Sequence, residues 1–207
     1  MFIDIFGIDG CGKSTHSLLL KKFIENNYNL KVEIIHAFKP SKFVDELKNL
    51  EKTKKIDFHN TFSNQLRSNL YVIDFLYNMQ KIKNKINDGI VIITEKYNVD
   101  LEIYLPLLGS ELFLYNSLKK NILKPDIAFH LSINPQIAYN RILERSFLEK
   151  KIIAPKESFE IMTLASQSFS DYCSNHKSVI VIDSDYEKNI VSEKICKSFV
   201  NFIEKNT

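Results

Sequence analysis

The stretch Phe2-Ile3-Asp4-Ile5-Phe6-Gly7-Ile8-Asp9-Gly10-Cys11-Gly12-Lys13-Ser14-Thr15 decides the fold. Phe2–Phe6 is a short, mostly apolar run of β-forming residues. Gly7–Ser14 then satisfies G-x-x-x-x-G-K-[ST] in full, and Leu18, Leu19, Leu20, Phe23 and Ile24 follow with the apolar content of a core-facing helix. A strand, a glycine loop and a helix in that order let backbone N–H groups converge on an anion at the helix N-terminus. Lys13 is placed to reach the β- and γ-phosphates of a nucleoside triphosphate, and the Ser14 hydroxyl to bind Mg²⁺. Three of the five glycines fall inside these eight residues. The loop therefore predicts an ATP and Mg²⁺ site, with Gly7, Gly10, Cys11, Gly12, Lys13, Ser14 and Thr15 as cofactor-binding residues.

Downstream of the loop, strand-like and helix-like runs alternate. Val32–Ala37, Ile90–Thr94, Ile127–Ile133 and Val179–Ile182 are nearly continuous in apolar character, as in strands covered on both faces of a parallel sheet. Helices are expected at Lys13–Asn26, Ser41–Leu50, Asn60–Asn87, Leu101–Asn121, Pro135–Arg145, Ser158–Asn175 and Glu187–Glu204. Pro135 suits a first helical turn, and Asp88-Gly89 should stop the long third helix. This alternation predicts an α/β, doubly wound sheet with helices on both faces. No repeat or Pro/Gly linker divides residues 1–207, so a single domain is expected. Residues 146–157, polar and basic with Pro155 inside, read as a mobile flap.

Composition narrows the partners. A net charge of +3 on 207 residues, with no basic stripe carrying interleaved aromatics, gives no sign of nucleic-acid binding. No apolar run approaches the length of a membrane span, and Asp4 inside the first apolar run, with no basic stretch ahead of it, argues against a signal peptide. A cytoplasmic protein is expected. Cys11, Cys173 and Cys196 are scattered, without a CxxC pair, which points away from disulfides and zinc. Only Arg67, Arg141 and Arg145 are arginine among 28 basic residues. Arg141 and Arg145 lie one helical turn apart on one face.

A triphosphate site alone does not name a reaction. The absence of an N-K-x-D-like guanine motif and of a second, motor-like repeat favours a small kinase. The stretch FIDIFGIDGCGKSTHSLLLKKFIEN closely resembles the thymidylate kinase family, whose loop typically reads F-x-G-x-D-G-x-G-K-S-T-Q. The similarity continues through Glu95-Lys96-Tyr97, where that family carries Asp-Arg-Tyr, through Lys124-Pro125-Asp126 and Asn134-Pro135, and through the spacing of Arg141 and Arg145. The resemblance implies a three-layer P-loop kinase fold on a parallel five-stranded sheet and transfer of the γ-phosphoryl group of ATP to a nucleoside monophosphate. It implies a homodimer as well. It assigns catalysis to Lys13, Glu95 and Arg145, the metal to Ser14 and Glu95, and a nucleotide clamp to Arg141. The acceptor would be held by Asp9, facing its sugar, by Lys96 at its phosphate, and by Phe38, Lys39, Lys42, Arg67, Tyr97 and Tyr104.

Four positions depart from the family pattern around the acceptor. Lys96 stands for an arginine and loses the bidentate fork. Asp100 stands for a serine, Leu105 for a base-reading glutamine, and Asp74 falls near the place where the family carries a phosphate-facing arginine. These departures predict an acceptor that is either dTMP or a related or modified compound, since one missing base-reading hydrogen bond can shift discrimination by orders of magnitude. Two other readings stay open from the residues. In a deoxynucleoside kinase Glu95 would act as base on a 5′-hydroxyl; a non-catalytic ATP-binding module would need no acceptor at all.

Overall fold

The computed structural model describes residues 1–37, 46, 49, 62–148 and 158–206, of which 146–148 are described in backbone only. Five strands form one sheet in the order β2-β3-β1-β4-β5, every pairing parallel. They are β1 (Phe2–Phe6), β2 (Val32–His36), β3 (Val91–Glu95), β4 (Ile127–Ser132) and β5 (Val179–Asp183). The described helices are α1 (Lys13–Tyr28), α2 (Asn64–Asn87), α3 (Asn98–Leu107), α4 (Phe113–Leu118), α5 (Pro135–Leu148), α6 (Phe159–Asn175) and α7 (Lys188–Asn206). The three-layer α/β architecture expected from the alternation is the one observed.

Side chains alternate along β1 and divide the core. Ile3 and Ile5 face Leu20 and Ile24 of α1 and Ile195 and Phe199 of α7. Phe2 and Phe6 face the other layer, where Phe2 meets Tyr97 at 5.0 Å and Phe6 meets Phe169 of α6 at 5.6 Å between ring centroids. Burying both faces of each central strand is why the strands read as unbroken apolar runs. The sheet connections leave β1 and β3 on opposite sides, and ligands collect at the carboxyl ends beside such a switch point.

Helix ends follow local chemistry. Ser63 and Ser158 accept backbone N–H bonds from Leu66 and Ile161, capping α2 and α6. Behind α2, Gly89 at φ 78° lets Ile90 N–H reach Lys85 O at 3.0 Å, so Asp88-Gly89 ends that helix as expected. The predicted helix Leu101–Asn121 is instead α3, α4 and a 3₁₀ turn at Lys119–Asn121. Pro106 in the last turn and Gly109 at φ 75° stop α3, and Gly109 N–H closes on Pro106 O at 2.9 Å. At the other margin, α5 runs three residues past Arg145 into the stretch read as flap, because no glycine or proline interrupts it before Pro155. Of the expected helix Ser41–Leu50 only Glu46 and Asn49, both helical, are described.

Candidate active site

The loop after β1 is shaped by close approaches. A Cβ on Gly7 would sit 2.7 Å from the Leu131 carbonyl oxygen, and one on Gly10 would collide with the Ala138 backbone of α5. Both positions need φ above zero as well. Gly12 forms the N-cap, and α1 begins at Lys13, so the first N–H groups of α1 open toward a cavity of about 600 Å³. Lys13 is 7% exposed; its ammonium donates to Gly7 O at 2.7 Å and Ile8 O at 2.9 Å.

Across the cavity stands the carboxyl end of β3. Glu95, its last residue, pairs in register with Ile5 and with His36 of β2. The Ser14 hydroxyl donates to Glu95 Oε2 at 2.6 Å, and His36 Nδ1 lies 3.4 Å from the same oxygen. The next residue, Lys96, has φ 61°, a left-handed conformation that costs an ordinary L-residue about 1–2 kcal/mol. That backbone turn directs its ammonium to Asp9 Oδ1 at 2.8 Å, while Lys13 stands 3.5 Å from the same oxygen. Burial works against charge on Asp9, but the two lysines outweigh it and hold its carboxyl well below the usual range. From α5, Arg141 and Arg145 line the same cavity, and Arg141 Nη2 donates to Ser184 O at 3.1 Å beyond β5.

Ten of the residues singled out in the sequence therefore meet around one cavity: Asp9, Gly10, Gly12, Lys13, Ser14, Thr15, Glu95, Lys96, Arg141 and Arg145. Gly7 and Cys11 shape the loop without lining it; the Cys11 thiol is fully buried, and burial raises its pKa. Tyr97 does not join them. Its ring is enclosed between Phe2 and Phe75, and its hydroxyl donates to Leu123 O at 2.9 Å. Tyr104 is also buried, with the Lys96 ammonium 5.7 Å from its ring centroid. Arg67 lines a second cavity of about 350 Å³ between α2 and α3, beside Tyr71, Ser68, Leu105 and Ser110. Phe38, Lys39 and Lys42 lie outside the described residues.

The cavity also uses residues that the sequence reading passed over: His16, His36, Ser184, Tyr186, Glu187 and Lys188. The signal available for the last four was position, since they follow β5 at the carboxyl edge where ligands bind. Beneath the loop, on the face of the sheet covered by α3 and α6, lies a set of buried polar side chains. Asp4 accepts from Thr94 Oγ1 at 2.8 Å, and the His130 ring packs against both Phe6 and Phe169, which also meet each other. Asp100 is fully buried, with no hydrogen bond from any other residue to its carboxylate.

The family model described as thymidylate kinase matches residues 5–195. The chain belongs to the thymidylate kinase family. It is 26% identical to the thymidylate kinase of Plasmodium falciparum, over 98% of this chain and 95% of that protein. It is 28% identical to the thymidylate kinase of Brachyspira hyodysenteriae, over 97% and 91% respectively. With the probable thymidylate kinase of Methanocaldococcus jannaschii it shares 27% identity, over 92% and 97%. The protein is thus an enzyme, a nucleoside monophosphate kinase with an ATP-dependent reaction. A changed acceptor, a deoxynucleoside kinase and a non-catalytic module, all left open by the residues, are not borne out. The structure gives physical reasons why the four departures misled. Asp100 and Asp74 are buried and present no carboxylate to a ligand surface. Lys96 keeps a cation at the loop, and Leu105 shares its cavity with the polar groups of Arg67, Ser68 and Ser110.

Proposed function

We propose that this thymidylate kinase family member phosphorylates dTMP with MgATP as donor, using the 600 Å³ cavity for the phosphates of both nucleotides. The observation that carries the reading is the meeting of the α1 N-terminus, Lys13, Glu95, Lys96, Arg141 and Arg145 around that one space. Phosphoryl transfer asks little covalent chemistry of a protein; it needs alignment and positive charge on the transferring group. The α1 N–H groups and Lys13 would hold the donor's β- and γ-phosphates, and Lys13 would leave Gly7 O and Ile8 O to do so. Arg145 would stabilise charge on the migrating group, and Arg141 would fix the donor from α5. Lys96, aimed by its left-handed backbone, would hold the acceptor phosphate opposite, while Asp9 would orient Lys96 and meet the acceptor sugar. Arg67, with Tyr104 behind Lys96, would bound the acceptor's base on the α2–α3 side.

The donor set suits a hard cation. Two oxygens, Ser14 Oγ and Glu95 Oε2, lie 2.6 Å apart at the helix N-terminus. Among the described residues no group of three or more His, Cys, Asp or Glu is placed to hold a metal ion. When bound there, Mg²⁺ would neutralise phosphate charge; Ser14 and Glu95 would hold and orient it. The same proposal includes a single domain, a cytoplasmic location and no nucleic-acid partner, on the strength of composition and patterning, and a homodimer on the strength of the family resemblance; of the flap expected at 146–157, residues 149–157 lie outside the described residues. Among the described residues no helix is long and apolar enough to cross a membrane.

A coupled ADP-release assay with MgATP tests the reading. dTMP, dUMP, the other monophosphates and free nucleosides are compared, with Lys13→Ala as the blank. Turnover on dTMP well above every other acceptor is expected; preference for a nucleoside, or for none of them, would refute it.

A further inference from the structure

Asp100 is a titratable side chain for which the proposed reaction has no use, and its surroundings are unusual. It is fully buried in the first turn of α3, and its carboxylate has no hydrogen-bond partner on any other residue, only its own backbone N–H facing it. A carboxylate left so bare would ordinarily lose its charge or find a cation. The cations acting on it are Lys13 from α1 and Lys96 from the end of β3. These two lysines flank Asp9 Oδ1, at 3.5 Å and 2.8 Å, and line the nucleotide cavity. Negative charge faces Asp100 from Asp9 in the loop, and it is felt in turn by Asp4 of β1, also fully buried with one oxygen unpartnered. The loop adds the buried Cys11 thiol, kept protonated by its burial. From β4, His130 is held neutral by burial and by Lys13, and α6 places the uncharged ring of Phe169 against Tyr104.

The same two ammonium groups therefore serve a carboxyl on the inside and phosphates on the outside. We propose that Asp100 is a positioning residue acting through Lys13 and Lys96, and that nucleotide binding drives a proton from solvent onto its carboxyl. The sign follows from Coulomb's law. Phosphates entering the cavity bring negative charge toward Asp100 and engage the lysines that would otherwise offset its ionisation. Its protonated form is then favoured, and by linkage the protonated form binds nucleotide more tightly. Burial, the largest influence, already raises the pKa of the carboxyl to about 7, so the exchange falls at neutral pH.

This inference rests on the cavity being the nucleotide site, and the test separates the two. MgADP alone is titrated calorimetrically into the full chain at pH 7, in two buffers of different ionisation enthalpy. The wild type should take up about half a proton more per nucleotide than Asp100→Asn. Above pH 7 its affinity should fall by up to ~10-fold per pH unit, while the variant stays flat. Asp100→Ser, the residue that the family pattern places there, serves if the asparagine variant does not fold. Equal proton uptake in wild type and variant overturns the coupling, and so does no uptake by the wild type alone. An affinity loss in the variant that is the same at every pH marks a purely structural role and overturns it as well. Absence of MgADP binding by the wild type would overturn the nucleotide site itself, and the coupling with it.

Discussion

At the scale of single residues, the site turns on three charged groups and one strained backbone angle. Asp9, Lys13 and Lys96 form a compact triangle in which one carboxylate oxygen meets two ammonium groups. Asp9 and Lys96 are each close to a third exposed, which keeps their pair modest as a source of stability. Its value lies in placement. Lys96 occupies a left-handed backbone conformation that glycine would accept without cost, which marks a position where stability is given up for direction. Replacing Lys96 by Gly and by Ala removes the same ion pair, so their difference isolates the backbone. Lys96→Gly should be more stable than Lys96→Ala by about 1 kcal/mol in urea unfolding, and both should raise KM for dTMP. Equal stabilities would mean that the backbone at position 96 is not strained. None of this was visible in the sequence. Lys96 could be read there as a weakened arginine, but its φ and its contact with Asp9 depend on how β3 ends beside β1.

The elements were far more legible, and the reason is physical. The central strands β1 and β3 are buried along their whole length and so read as apolar runs, and Gly7–Ser14 between a strand and a helix has one common structural use. The misreading occurred where helix-forming residues continue across a break. Leu101–Asn121 holds good helix formers on both sides of Gly109, yet that glycine sits at φ 75° and closes α3 through its N–H on Pro106 O. Gly109→Ala should destabilise the chain by roughly 1–2 kcal/mol, the cost of a left-handed turn for an L-residue. There is ordinary room for the methyl, 3.4 Å from the Asn64 side chain, so the loss should come from conformation alone. Chemical denaturation with an unchanged m-value checks this; no loss would place the stop of α3 at Pro106 instead. Tyr97 lies away from the cavity for a related reason. It follows Lys96 directly, but the turn into α3 sends it into the core between Phe2 and Phe75.

Across the whole molecule, buried ionisable groups set how stability responds to pH. Asp100 has a raised pKa, about 7, against a usual carboxyl value near 3.9. The folded chain therefore holds a proton that the unfolded chain releases. The contribution of Asp100 falls as pH rises from about 4 to about 7 and is constant above that. His16 and His130 act oppositely, both lowered to about 4, mainly by burial, so stability is lost as pH falls below about 6.5. Those histidines are common to wild type and Asp100→Asn, so they cancel in the difference. The unfolding free energy of wild type minus that of Asp100→Asn should decrease between pH 4 and pH 7; a flat difference would mean Asp100 ionises normally. The family was legible from the loop onward, whereas the acceptor was not, because burial of Asp74 and Asp100 and the company of Leu105 are set by packing. The central claim, γ-phosphoryl transfer to a monophosphate, is tested most directly by following the label from [γ-³²P]ATP in the presence of dTMP. Label at the β-position of dTDP, absent with Lys13→Ala, is the predicted result. Label released only as free phosphate, or appearing in dTMP made from added thymidine and nowhere in dTDP, would contradict it.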